Sequence, residues 1–109
     1  VPEIPAPQVA VTCYEVSCVP EGHPDRSLWS LTVEVRSPGR WAVLSRGFCY
    51  DADGEREYES IPSERADEFR ARFRHSLDDA LALAKRIAPT MRVNRFTVAD
   101  ALAMAERGR

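Results

Sequence analysis

Leu28–Tyr50, LWSLTVEVRSPGRWAVLSRGFCY, is the stretch whose reading decides the fold. Over Leu28–Arg36 the apolar Trp29, Leu31, Val33 and Val35 alternate with Ser30, Thr32, Glu34 and Arg36. Successive strand side chains point to opposite faces, so this period of two marks a strand with one face buried and one wet. Ser37–Arg40 (SPGR) then sets Pro and Gly at the two central positions of a type II turn. Trp41–Tyr50 returns as the antiparallel partner. Its Ala42, Leu44, Phe48 and Tyr50 alternate less cleanly, and Gly47 reads as a bulge in that strand.

Outward from this hairpin, Val9–Cys18 (VAVTCYEVSC) is rich in β-branched residues and reads as a preceding strand. Pro20, Gly22 and Pro24 end it in an irregular loop. Residues 1–8 carry three prolines and no pattern, an extended or disordered arm before a single domain at 9–109. On the other side, the turn Asp51–Gly54 (DADG) leads to a short charged edge strand in EREYES.

From Pro62 the pattern becomes helical. PSERADEFRARF offers Ser63 as a cap and Phe69 as an anchor, with a break near Arg72–His75. Two further helices echo each other 21 residues apart: SLDDALALAKR (Ser76–Arg86) and TVADALAMAER (Thr97–Arg107). Each opens on a hydroxyl residue followed three positions later by Asp79 or Asp100, a variant of the capping box. Leu77, Ala80, Leu81, Leu83, Ala84, Ile87 and Ala88 share one side of the first, Val98, Ala101, Leu102, Met104 and Ala105 share one side of the second, and Pro89 stops the first after Ala88. Between them TMRVN is a connector or short strand. The expected fold is α+β, a small antiparallel sheet of three or four strands covered on one face by two or three C-terminal helices. Trp29, Leu31, Val33 and Val35 should meet Leu77, Leu81, Ala84, Leu102 and Ala105 in one core.

The net charge of −2 rules out a generally basic, nucleic-acid-coating chain, but it is unevenly placed. Residues 1–60 hold 5 Arg against 10 Asp and Glu; residues 61–109 hold 10 Lys and Arg against 7 acids. That polarity suits either a mixed solvated surface or an oriented approach to a charged partner. No apolar run reaches the length of a membrane span, and the opening VPEIPAPQ lacks a signal peptide's basic and apolar regions. With three cysteines and no export signal, free thiols in the cytoplasm are expected.

The sharpest chemical constellation is Cys18, His23 and Cys49. Cys and His are zinc ligand types, and three of them plus water make an open site. If SPGR closes the hairpin, Leu28 falls opposite Cys49, at the end of the sheet where Cys18 and His23 arrive. Zinc is the cofactor this set would take. The plainer alternative is two buried thiols, a loop histidine and no cofactor. Cys13 is excluded from the set, since five strand residues separate it from Cys18 by roughly 16 Å and put it on the other face. His75, Ser76, Asp78 and Asp79 look like a base and nucleophile, but a cap and a helix-dipole partner explain them. DADG reads as a turn rather than a calcium loop. Arg65, Arg70, Arg72 and Arg74, interleaved with Phe69 and Phe73, form either a solvated helix face or a basic surface with stacking rings.

VSCVPEGHPD, RWAV, the Cys before DADGEREYE, IPSERADEF and SLDDALALAKRIAP followed by VN–x–x–T and DAL together resemble short uncharacterised proteins of actinobacteria and their phages. The resemblance runs from about Val16 to Leu102 and implies a small cytoplasmic protein, with no active site to carry over. Arg95 stands where such proteins would have glycine, implying a less tight turn into the last helix. The expected role is non-enzymatic, a binding or accessory protein acting through a protein partner. The alternative is a metal-assisted or nucleic-acid-binding domain using Cys18, His23 and Cys49 or the Arg65–Arg74 face.

Overall fold

The computed structural model describes residues 2–59 and 67–107. Five antiparallel strands, β1 (Cys13–Ser17), β2 (Ser30–Ser37), β3 (Arg40–Ser45), β4 (Phe48–Tyr50) and β5 (Arg56–Tyr58), lie side by side in chain order. Helices α1 (Asp67–Phe73), α2 (Leu77–Ile87) and α3 (Val98–Arg107) follow, with a small hairpin of β6 (Arg92–Val93) and β7 (Phe96–Thr97) before α3. The architecture is α+β, as the alternation and helix caps predict, with one strand more than the expected four at most.

The extra strand comes from Arg46-Gly47. These residues do not bulge a continuous strand; they reverse it. Arg46 has φ 53 and Gly47 φ 87, and Ser45 pairs with Phe48 across them. Two central residues with positive φ are what a type I′ hairpin needs, and its twist matches that of the flanking strands. The SPGR turn is as expected, with Gly39 at φ 72 and Ser37 opposite Arg40. The first strand is shorter than its β-branched residues suggest: Val9 and Val11 are exposed, and pairing starts at Cys13 opposite Glu34.

Register sorts the faces. Val16 lies opposite Leu31, Tyr14 opposite Val33, Val33 opposite Val43 and Val35 opposite Trp41, so these side chains share one face. α2 lies across it and contributes Ala80, Leu83, Ala84 and the partly buried Leu77, Leu81 and Ile87 to the same cluster. Ser76 caps α2 by accepting from Asp79 N–H at 3.2 Å. In α3 the box is reciprocal: Thr97 Oγ1 accepts from Asp100 N–H, and Asp100 accepts from Thr97 N–H at 2.9 Å. Those bonds from Thr97, backbone first, hold the Asp100 carboxyl below its ordinary range.

α3 departs from expectation in what it buries. Val98 and Ala101 reach the core, whereas Leu102 is 39 % exposed and Met104 is exposed as well. After the β6–β7 hairpin, α3 meets the loop that follows β1, where Ala101 O accepts from His23, and makes little contact with the five-stranded sheet. Asn94, at φ 58, takes the left-handed position of that turn, so Arg95 has no need to be glycine.

α1 lies against the opposite face. Arg72 pairs with Glu57, while Arg74 and Arg36 share Glu59. Phe73 is its buried anchor in place of Phe69, whose ring stands 4.6 Å from it. The proposed cap Ser63 lies outside the described residues. After α1 the chain crosses to the α2 side through a gap in the sheet. β4 ends at Tyr50, and His75 takes the vacant place beside Trp41, exchanging backbone hydrogen bonds with it at 2.8 and 2.9 Å. The His75 ring donates from Nε2 to Tyr50 O at 2.9 Å and closes the seam.

Candidate functional site

The Arg46-Gly47 reversal decides the fate of the cysteine and histidine set. Cys49 faces Leu44 across the β3–β4 pair instead of Leu28. With the strands in order, β4 stands about 14 Å from β1, three strand spacings away. Cys18 is exposed just beyond the end of β1. Cys49 is buried, donates from Sγ to Glu57 O at 3.3 Å, and burial pushes its thiol up, with the Glu59 charge adding to this. His23 is buried with both ring nitrogens engaged: Nε2–H donates to Ala101 O at 3.1 Å, and Nδ1 accepts from Asp25 N–H at 3.0 Å. Its partners fix the tautomer and make it a rivet between the loop and α3. The structure does not gather these three residues. Among the described residues, no three His, Cys, Asp or Glu side chains are grouped to hold a metal ion.

The arginine face is likewise engaged. Arg70 pairs with Asp67, and Arg72 donates to Asp51 at 2.8 Å and Glu57 at 2.9 Å. The Arg74 side chain is only 4 % exposed and meets Glu59 at 2.9 Å. Arg65 lies outside the described residues. Arg72 and Arg74 therefore tie helix and strands together, while Arg70, with its side chain 46 % exposed, pairs within α1. Asp51 shows the cost being met locally. Burial works to raise its carboxyl, but hydrogen bonds from Arg72 and from the Glu55 and Asp53 N–H groups outweigh it and hold the group low.

Sequence reasoning missed the feature with the strongest surface chemistry. On the α2 side of the sheet, beside the end of that helix, β4 and β5 carry Phe48, Tyr50, Arg56 and Tyr58 on one face, Tyr50 buried and Tyr58 exposed. These residues floor an open cleft of about 970 Å³, walled by Arg46 from the β3–β4 turn and by Arg86, Met91 and Arg92 from the far end of α2 and β6. Tyr58 stacks on Phe48 at 4.2 Å and is 70 % exposed, and Arg56 lies over the other ring at 4.4 Å. Arg86 donates to Ala52 O at 2.6 Å. Asp53 and Glu55 are the acidic residues of the lining, against four arginines. The cleft is thus locally cationic in a chain of net charge −2. The signal was present in the sequence: FCY and REY, read as hairpin partners, place alternate aromatic and arginine residues on one face.

No family model matches the chain, and neither a curated protein nor a solved structure matches it. Among the described residues, no helix is long and apolar enough to cross a membrane.

Proposed function

We propose that the protein is a non-enzymatic binding domain that acts on a protein partner through the cleft over β4 and β5. One observation carries the reading: an exposed Tyr58, stacked on the half-buried Phe48, is set among arginines on β4 and β5 and the segments beside them. Aromatic and arginine side chains are the types that dominate binding energy at protein interfaces, because they add large contact area at small entropic cost. The groups resembling catalytic residues have structural employment. His75 closes the sheet seam, Ser76 caps α2 and His23 rivets the loop. A cytoplasmic setting is part of the proposal, supported by three unpaired cysteines.

The same chemistry favours a second reading, single-stranded nucleic acid stacked on Tyr58 with phosphates on the arginines. Peptides selected on the immobilised protein from a random library separate the two. In fluorescence anisotropy, Tyr58→Ala or Arg56→Glu should weaken a selected peptide about tenfold, as loss of an interface anchor does. Arg70→Glu should leave it unchanged. Equal loss in all three variants contradicts the cleft assignment. Binding of an oligothymidylate that falls steeply with salt, with no peptide selected, would favour nucleic acid.

A further inference from the structure

Residues 2–11, PEIPAPQVAV, leave the body as an exposed segment, while Thr12 O still accepts from Val35 N–H at 2.9 Å. Ile4 is 94 % exposed and Val9 101 %. The molecule measures 62 × 35 × 23 Å with a radius of gyration of 16.8 Å, where a compact chain of this length would have about 13 Å. The excess indicates a projecting arm. Pro2, Pro5 and Pro7 lack an N–H and fix φ near the polyproline II value, so the arm is extended before it meets anything. Fully solvated β-branched residues on a stiffened strand are a poor surface unless something covers them.

The cleft has the matching chemistry. Exposed aromatic rings form the grooves on which polyproline II segments dock, because the extended peptide is already ordered and its proline rings lie flat against them. Tyr58 supplies the exposed ring, with the half-buried Phe48 stacked beneath it, and Arg56 and Arg92 supply cations for Glu3, the one charged side chain in the segment. The arm departs from Cys13 on β1, at the opposite edge of the sheet and toward the SPGR turn; the cleft opens beside β5, toward Arg46. An arm that leaves one corner and points outward is placed to meet another molecule's cleft. Ten residues of polyproline II reach about 30 Å, enough to cross to a neighbour.

We infer that the occupant of the cleft is residues 2–11 of a second copy of this chain, so that two copies associate by exchanging arms. This rests on the cleft being the binding surface and names its partner.

Sedimentation velocity of the full chain, over a series reaching the submillimolar range, tests it. Wild type should pass from monomer to dimer. An arm variant, Ile4→Asp with Val9→Asp, and a cleft variant, Tyr58→Ala, should each stay monomeric while keeping the wild-type circular dichroism. Both sites are solvent-exposed, so loss of association reads contact and not unfolding. Mixed together, the two variants should recover a dimer, weaker than wild type because one exchange replaces two. A mixture as monomeric as its parts overturns the exchange, as does a dimer that ignores both variants. A wild type that stays monomeric also overturns it, and if selected peptides still need Tyr58 the cleft reading survives with a different occupant.

Discussion

Asp51 carries several of the fold's local contacts on one carboxylate. It ends β4, folds the DADG turn by accepting from Asp53 and Glu55, and pins α1 through Arg72. A carboxyl whose folded value lies below the ordinary 3.8 stabilises the fold fully above that value and loses the contribution as pH falls through the folded one. Wild type should therefore lose stability on acidification below about pH 4, a slope shared with Asp100. Asp51→Asn should be less stable at neutral pH and should show a shallower acid loss, read from Tm between neutrality and strong acid. An unchanged acid slope would mean that titration of the Asp51 carboxylate contributes nothing to the acid loss. This role was half legible in the sequence: DADG gives the turn, but the arginine partner comes from a helix 21 residues on. His23 was legible as a choice between ligand and loop residue; its burial was not, because its acceptor, Ala101 O, is a carbonyl of α3 that no local pattern reveals.

The capped helices were the most legible elements, since hydroxyl, acid and apolar spacing all lie within a few residues of one another. α2 spans Leu77–Ile87 and α3 Val98–Arg107, and both caps form. The buried face of α2 was legible too, since Leu77, Ala80, Leu81, Leu83, Ala84, Ile87 and Ala88 all join the core; that of α3 was legible only at Val98 and Ala101, because a near-identical sequence meets different neighbours. In α2 the face of Ala80, Leu83 and Ala84 is buried over the sheet; in α3 the equivalent of Leu81 is the exposed Leu102. Leu83→Ala should cost about 2–4 kcal/mol in denaturant unfolding, the range for a leucine lost from a packed core. Leu102→Ala should cost about 0.5 kcal/mol or less. Comparable losses would place α3 over the sheet after all. The strand pair β3–β4 was hidden for another reason: the left-handed residue before Gly47 is Arg46, and arginine gives none of the signal that Asn or Asp gives in a type I′ turn.

For the whole molecule, the sheet places two chemistries on two faces. α1 neutralises one with Arg72 and Arg74 bound to carboxylates; the other is covered by α2 over β1 to β3 and left open over β4 and β5. The open part gathers Arg46, Arg56, Arg86 and Arg92 from four separate places in the chain, so a run-based reading of charge finds Arg65–Arg74 and passes over the cleft. The fold class was within reach of periodicity alone; the site depended on one reversal at Arg46-Gly47 that sequence spacing did not show. The most direct test of the cleft assignment places a photo-reactive side chain at Tyr58 in one full-length protein and at Arg70 in another. Each is irradiated in cell extract, and the covalent adducts are identified by mass spectrometry. The cleft assignment predicts protein adducts from position 58 and none from position 70; adducts from position 70 with none from position 58 would contradict it.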